Sequence, residues 1–118
     1  MVKLVLLVRR KPGMDRAAFR EYYEGTHAPL AASLMKRCKR YKRNFIEQEP
    51  AGALDFDVIT EFWFDGDGQW ADIRGNFADT EITAVLTEDE ARFMDRPSMR
   101  IAVVHEAETD PALLLGNR

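Results

Sequence analysis

The 118-residue chain predicts an α+β fold of the ferredoxin-like kind: a βαββαβ order with a four-stranded antiparallel sheet covered by helices on one face. Three observations point there. Apolar and periodic stretches succeed one another as strand, helix, strand, strand, helix, strand, which is the split βαβ pattern. The length suffices for one domain and falls short of two. The composition, 46% hydrophobic and 31% charged, is that of a folded chain rather than a disordered one.

The first strand is VKLVLLV at 2–8, rich in branched side chains without clean alternation, as in a strand buried on both faces. KPGMD follows, with Pro12-Gly13 as a turn and Asp15 as a helix N-cap. A helix is then expected from about Asp15 to about Met35. Phe19, Tyr23, Thr26, Leu30 and Leu34 form its apolar stripe, while Arg16, Arg20, Glu21 and Glu24 lie mostly on other faces.

Residues 36–49 read as a second strand, and DFDVITEFWF at 55–64 as the second arm of a hairpin. A turn centred near Gly52 sets Phe45 opposite Val58, Tyr41 opposite Phe62 and Lys42 opposite Glu61, a register that joins aromatics and opposite charges. DGDG at 65–68 is a turn, with Asp67 capping a short helix through Trp70 and Ile73. A further helical segment spans about Thr80 to Met94, and the capping box Thr87-x-x-Glu90 restarts its last turns. Pro97 stops it. IAVVHEAE at 101–108 is the last strand, so residues 1–108 make the domain and 109–118 a C-terminal tail.

Two helical regions cover only one face of such a sheet. Strands one, three and four are nevertheless apolar on both faces, with Val58 and Phe62 on one side of strand three and Ile59 and Trp63 on the other. An uncovered apolar face of that size predicts a homodimer packed sheet to sheet about a two-fold axis.

The net charge of −3 conceals an asymmetry: residues 1–43 hold 12 Lys/Arg against 3 Asp/Glu, and residues 44–118 hold 5 against 17. The two halves are expected to lie side by side and neutralise each other. One cysteine, Cys38, rules out an internal disulfide and fits a reducing compartment. The apolar N-terminal run is too short to span a membrane, and its basic cluster follows the run, so the expected location is cytoplasmic.

The stretch FREYYEGTHAPL carries the main functional signal. Pro29 has no N–H, so the carbonyl of Gly25 loses its helical partner, and Gly25 loosens the same turn. The helix should kink there and aim His27, at the edge of the apolar stripe. Two readings stand side by side. In one, the imidazole bonds a freed carbonyl and locks the kink. In the other, it is a general base or hydrogen-bond donor that opens onto a cavity between helix and sheet, a role suited to a ring that titrates near neutral pH. Tyr23 and Tyr41 are its natural companions, since a phenol can donate to a developing enolate oxygen. His105 lies on the last strand, on one face with Ile101 and Val103, and lines either the cavity or the dimer core.

Other chemistries find little support. Glu24-x-x-His27 is half of a carboxylate-bridged metal pattern with no second copy, and DGDGQW fails the calcium-loop template at its sixth position, Trp70, and its twelfth, Asn76. No metal, phosphate loop or nucleophile elbow is expected. KRCKRYKR at 36–43 raises nucleic-acid binding, but the acidic balance and the acidic partner strand argue against it.

KLVLLVRRKPGMDRAAFREYYEGTHAPL, together with DEARFMDRPSMRIAVVHE, resembles the EthD family over nearly the whole chain. The resemblance implies a dimeric α+β barrel and, by analogy with fungal polyketide dehydratases and methylmuconolactone isomerases, proton-transfer chemistry with no metal or organic cofactor. It implies that His27 matches the family's helix histidine and Tyr41 the tyrosine of the second strand. The expectation is a lyase, isomerase or cyclase acting on a small aromatic, polyketide-like or lactone substrate. His27 and Tyr41 are its catalytic residues; Phe19, Tyr23, Phe62, Trp63 and His105 contact the apolar ligand. The alternatives are a non-enzymatic ligand-binding or accessory dimer and, more weakly, a cofactor-free oxygenase.

Overall fold

The computed structural model describes residues 1–47, 54–66 and 80–117. It contains β1 (Val2–Val8), α1 (Arg16–Tyr22), α2 (Ala28–Leu34), β2 (Cys38–Phe45), β3 (Val58–Phe64), α3 (Thr80–Glu90) and β4 (Arg100–Val104). The sheet order is β2-β3-β1-β4, antiparallel throughout, which is the ferredoxin-like arrangement. The turn expected near Gly52 and the short helix from Asp67 through Trp70 and Ile73 lie outside the described residues.

The hairpin register is the expected one, with Tyr41 opposite Phe62, Lys42 opposite Glu61 and Phe45 opposite Val58. The basic and acidic halves do interleave. Arg10 pairs with Asp57 at 2.8 Å, Arg9 with Asp55 at 3.3 Å, and Lys3 bridges Glu61 and Glu106.

The first helix starts as expected: Gly13 takes a left-handed φ of 86°, and Asp15 Oδ1 accepts from the Ala18 N–H at 2.7 Å. Between α1 and α2, however, Tyr23–His27 form a π turn, in which the Ala28 N–H reaches back five residues to the Tyr23 carbonyl. This wider turn stands immediately before Pro29, where an α-helical ladder would strand the Gly25 carbonyl.

The π turn changes which residues face the core. An α-helical period continues the stripe from Tyr23 to Thr26, Leu30 and Leu34, but Thr26 is exposed and Leu30 and Leu34 only half-buried. Instead, Phe19, Tyr23, His27, Ala28 and Ala31 are buried. One extra residue in the turn rotates everything after it by about 100°, which carries His27 from the stripe's edge to its centre.

Two further expectations are corrected. α3 runs unbroken from Thr80 to Glu90, so Thr87 is not an N-cap, and the Glu90 carboxylate bonds Arg96. β4 ends at Val104, opposite Lys3 near the start of β1, and residues 105–108 run on outside the strand.

The core lies between the helices and one sheet face. Val2, Leu4, Val8, Val58 and Phe64 come from the sheet; Phe19, Tyr23 and Phe93 come from the helical side. Phe93 is the hub, with ring centroids 5.6 Å from Phe19, 5.0 Å from Tyr22, 5.2 Å from Tyr23 and 4.9 Å from His27. On the opposite sheet face, Trp63 is covered by Lys3 and Arg40, each 4.6 Å from its ring, and it donates to Glu106 at 3.2 Å.

Candidate active site

A cavity of about 120 Å³ lies between the sheet and the helices. Its walls are mostly apolar, with Leu4, Leu6 and Phe62 from the sheet and Leu86 from α3. The polar groups that reach it are His27, Tyr23, Tyr41, two threonines, Glu90 and Arg96.

His27 is 3% exposed, and its Nδ1 lies 2.8 Å from Asp89 Oδ2. An ionised carboxylate can only accept, so Nδ1 carries a proton, and in the neutral imidazole the lone pair falls on Nε2. The ring makes one hydrogen bond among the described residues, through Nδ1, and it borders the cavity. The π turn sets the ring's position, and Phe93 packs against its face.

Asp89 is itself held. Tyr22 Oη donates to its Oδ1 at 2.6 Å, and Arg92 Nη1 donates to the same oxygen at 3.1 Å. Burial alone would raise this carboxyl, but the bonds from Tyr22, His27 and Arg92 outweigh it and hold the group below the usual carboxylate range. Asp89 therefore stays ionised and fixes one imidazole tautomer, as the carboxylate does in a His–Asp pair.

The phenols form a second chain. Tyr41 Oη donates to Tyr23 Oη at 3.2 Å, and Tyr23 Oη is hydrogen-bonded to Thr60 Oγ1 at 2.7 Å. Burial pushes Tyr23 up to about 12 and also raises Tyr41, whose charged form is further opposed by its tyrosine neighbour. Both remain protonated at neutral pH and can serve as donors, not as bases. The Tyr41 ring is fixed by stacking on Phe62 at 4.4 Å.

Of the residues singled out from the sequence, His27, Tyr41, Tyr23 and Phe62 meet at the cavity. Phe19 is buried beside Tyr23 and Phe93 and is not among the lining residues. Trp63 lies on the other sheet face. His105 follows the last residue of β4, is exposed, and does not reach the cavity.

Sequence reasoning did not single out Asp89, Glu90 or Arg96 for the site. A signal existed for the first two. Ile82, Leu86 and Phe93 mark the apolar side of this helical segment, and two acids at 89 and 90 fall within the same arc.

The sequence model of one family, described as the EthD domain, matches residues 11–97. A curated relative from Metarhizium robertsii, named a conidial pigment biosynthesis dehydratase EthD, is 29% identical over 87% of this chain and 82% of its own. The fold resembles the crystal structure of an EthD family protein from Bacillus halodurans, with a TM-score of 0.68 and 22% identity over 91% of this chain and all of that one. It also resembles an Arabidopsis thaliana protein, with a TM-score of 0.62 and 15% identity over 93% and 99% of the two chains. At those identities, the structural likenesses establish the fold alone.

Proposed function

The chain belongs to the EthD family, and on that footing we propose that it is a cofactor-independent lyase that eliminates water from a small aromatic or polyketide-like carbonyl compound. The observation that carries this reading is the state of His27: Nδ1 bound to a buried carboxylate, Nε2 open to an apolar cavity. An imidazole so held takes a proton from the carbon beside a carbonyl group, and Asp89 stabilises the imidazolium that results. Tyr41 and Tyr23 supply O–H donors to the enolate oxygen that forms. The Metarhizium robertsii relative's name, a dehydratase, supports the lyase class.

The alternative of a passive ligand carrier anticipates a histidine bonded only to backbone; the His27–Asp89 pair favours the enzyme. A second part of the proposal is a homodimer. Val5, Leu7, Ile59, Trp63 and Ala102 share the sheet face away from the helices, and a second copy would cover it. Light scattering that gives the mass of one chain at micromolar concentration would remove that part. A reducing, cytoplasmic setting belongs to the same proposal, since Cys38 is the single cysteine. Among the described residues, no helix is long and apolar enough to cross a membrane.

The test of the reaction is turnover by His27→Asn, which keeps an Nδ1-like donor for Asp89 and lacks the base. The proposal expects a fall of about 10²–10⁴ in rate. Turnover within about threefold of the native protein would remove the base.

A further inference from the structure

We infer that Glu90 is the general acid of this site, delivering a proton to the leaving hydroxyl of a β-hydroxy ketone whose α-proton His27 removes. The inference rests on the proposed elimination and assigns its second half, since a hydroxyl leaves as water only when something protonates it.

Glu90 is the last residue of α3, and its neighbour Asp89 is the partner of His27. Successive helical residues point about 100° apart. With Asp89 turned to the π turn, Glu90 turns to the cavity, where it lines the wall with its side chain only 14% exposed. Oε1 accepts from Arg96 Nε at 3.2 Å, the one hydrogen bond this carboxyl makes among the described residues. A carboxyl half-anchored in this way presents one free oxygen to a bound molecule.

The electrostatics shift the Glu90 carboxyl toward its protonated form. Burial raises Glu90 above the usual carboxylate range, and nearby Asp89 acts in the same direction. Arg96 and a charged His27 act against it. This opposition couples the two proton transfers. When Nε2 takes the α-proton, the new imidazolium makes Glu90 a stronger acid at the moment the leaving oxygen needs a proton. The two carboxyls are thus shifted in opposite directions, Asp89 toward the anion behind the imidazole and Glu90 toward the acid beside the cavity.

The step balances without any redox partner. The Cα–H bond breaks toward Nε2, the Cα–Cβ double bond forms, and the Cβ–O bond breaks as the Glu90 proton joins that oxygen and leaves as water. The imidazolium then returns its proton to the Glu90 carboxylate, which restores both groups.

The test uses the full chain with 3-hydroxy-1-tetralone, whose dehydration and tautomerisation give 1-naphthol, and with 1-tetralone, which has the same α-carbon and no leaving hydroxyl. The native protein should form 1-naphthol above the buffer rate and exchange the C2 protons of 1-tetralone in heavy water. Glu90→Gln, which keeps an acceptor for Arg96, should retain exchange within about threefold while dehydration falls about a hundredfold or more. Glu90→Asp should recover part of that loss. His27→Asn should lose both reactions. Dehydration by Glu90→Gln within about threefold of native overturns the inference and leaves the His27 base standing, whereas exchange retained by His27→Asn overturns the base. No 1-naphthol from the native protein overturns both.

One reading needs no variant. With His27, Asp89, Arg96, Tyr23 and Tyr41 as the groups around Glu90, native dehydration should decline as Glu90 loses its proton with rising pH, and tetralone exchange should not. Parallel profiles for the two reactions would also overturn the inference.

Discussion

His27 Nδ1 and Asp89 Oδ2 lie 2.8 Å apart, both side chains buried, one on a π turn and the other near the end of α3. The pair ties together the two helical regions that roof the sheet, and it decides which imidazole nitrogen meets the cavity. Asp89→Asn should therefore affect both stability and rate. An amide in place of the carboxylate no longer fixes the Nδ1–H tautomer or stabilises the imidazolium, so kcat should fall about 10²–10⁴-fold. The loss of charge-assisted bonds to Tyr22, His27 and Arg92 should cost about 1–3 kcal/mol. Steady-state rates and urea midpoints measured on the same preparation check both values.

The Asp89 carboxyl also sets part of the acid limb of stability. Although burial opposes the charge, the bonds from Tyr22, His27 and Arg92 lower its folded-state value below the unfolded one. The native state then binds fewer protons in that window, so this contribution is present above the unfolded value of about 3.9 and fades as pH falls through the folded one. Asp89→Asn should flatten the dependence of the urea midpoint on pH in that range. Tyr22→Phe removes one of the bonds and should move the acid limb upward; an unmoved limb would show that Asp89 does not govern it.

Gly25 sits in the π turn with nothing within 4 Å of where a Cβ would stand. Alanine there narrows the unfolded chain's freedom and meets no obstacle. Gly25→Ala should raise stability by about 0.5–1 kcal/mol with rates unchanged. Calorimetry checks the sign, and a destabilised variant would mean that the turn needs glycine's freedom.

Tyr41→Phe keeps the ring stacked on Phe62 and leaves Tyr23 bonded to Thr60. The stability cost should be small, about 0.5–1.5 kcal/mol for one hydrogen bond. If Tyr41 donates to the enolate oxygen, kcat should fall about a hundredfold with KM little changed. A variant with native kcat would assign the phenol to packing.

The fold was largely legible because strand pairing follows side-chain pattern. Tyr41 with Phe62 and Lys42 with Glu61 are pairs that the sequence itself favours, and the structure uses them. The kink could also be read, since Pro29 removes a specific donor. Its form could not. Whether the chain bends, breaks or widens into a π turn depends on what lies beneath, and only the wider turn brings His27 over Phe93. That single residue of slippage misdirected the stripe toward Thr26 and Leu30. Asp89 and Glu90 were hidden differently: in a run of three acids at 88–90, nothing local tells which carboxyls turn inward. The end of β4 followed from where β1 begins, a tertiary limit that residues 101–108 do not carry themselves.

The central claim is that His27 presents an unprotonated Nε2 to the cavity while Nδ1–H points at Asp89. The most direct measurement is long-range ¹H–¹⁵N NMR of the histidine side chains at a pH where imidazole is neutral, with and without added 1-naphthol. The account predicts a protonated Nδ1, a lone-pair Nε2, and an Nε2 resonance that shifts when 1-naphthol enters. A proton found on Nε2, or an Nε2 signal indifferent to saturating 1-naphthol, would contradict it.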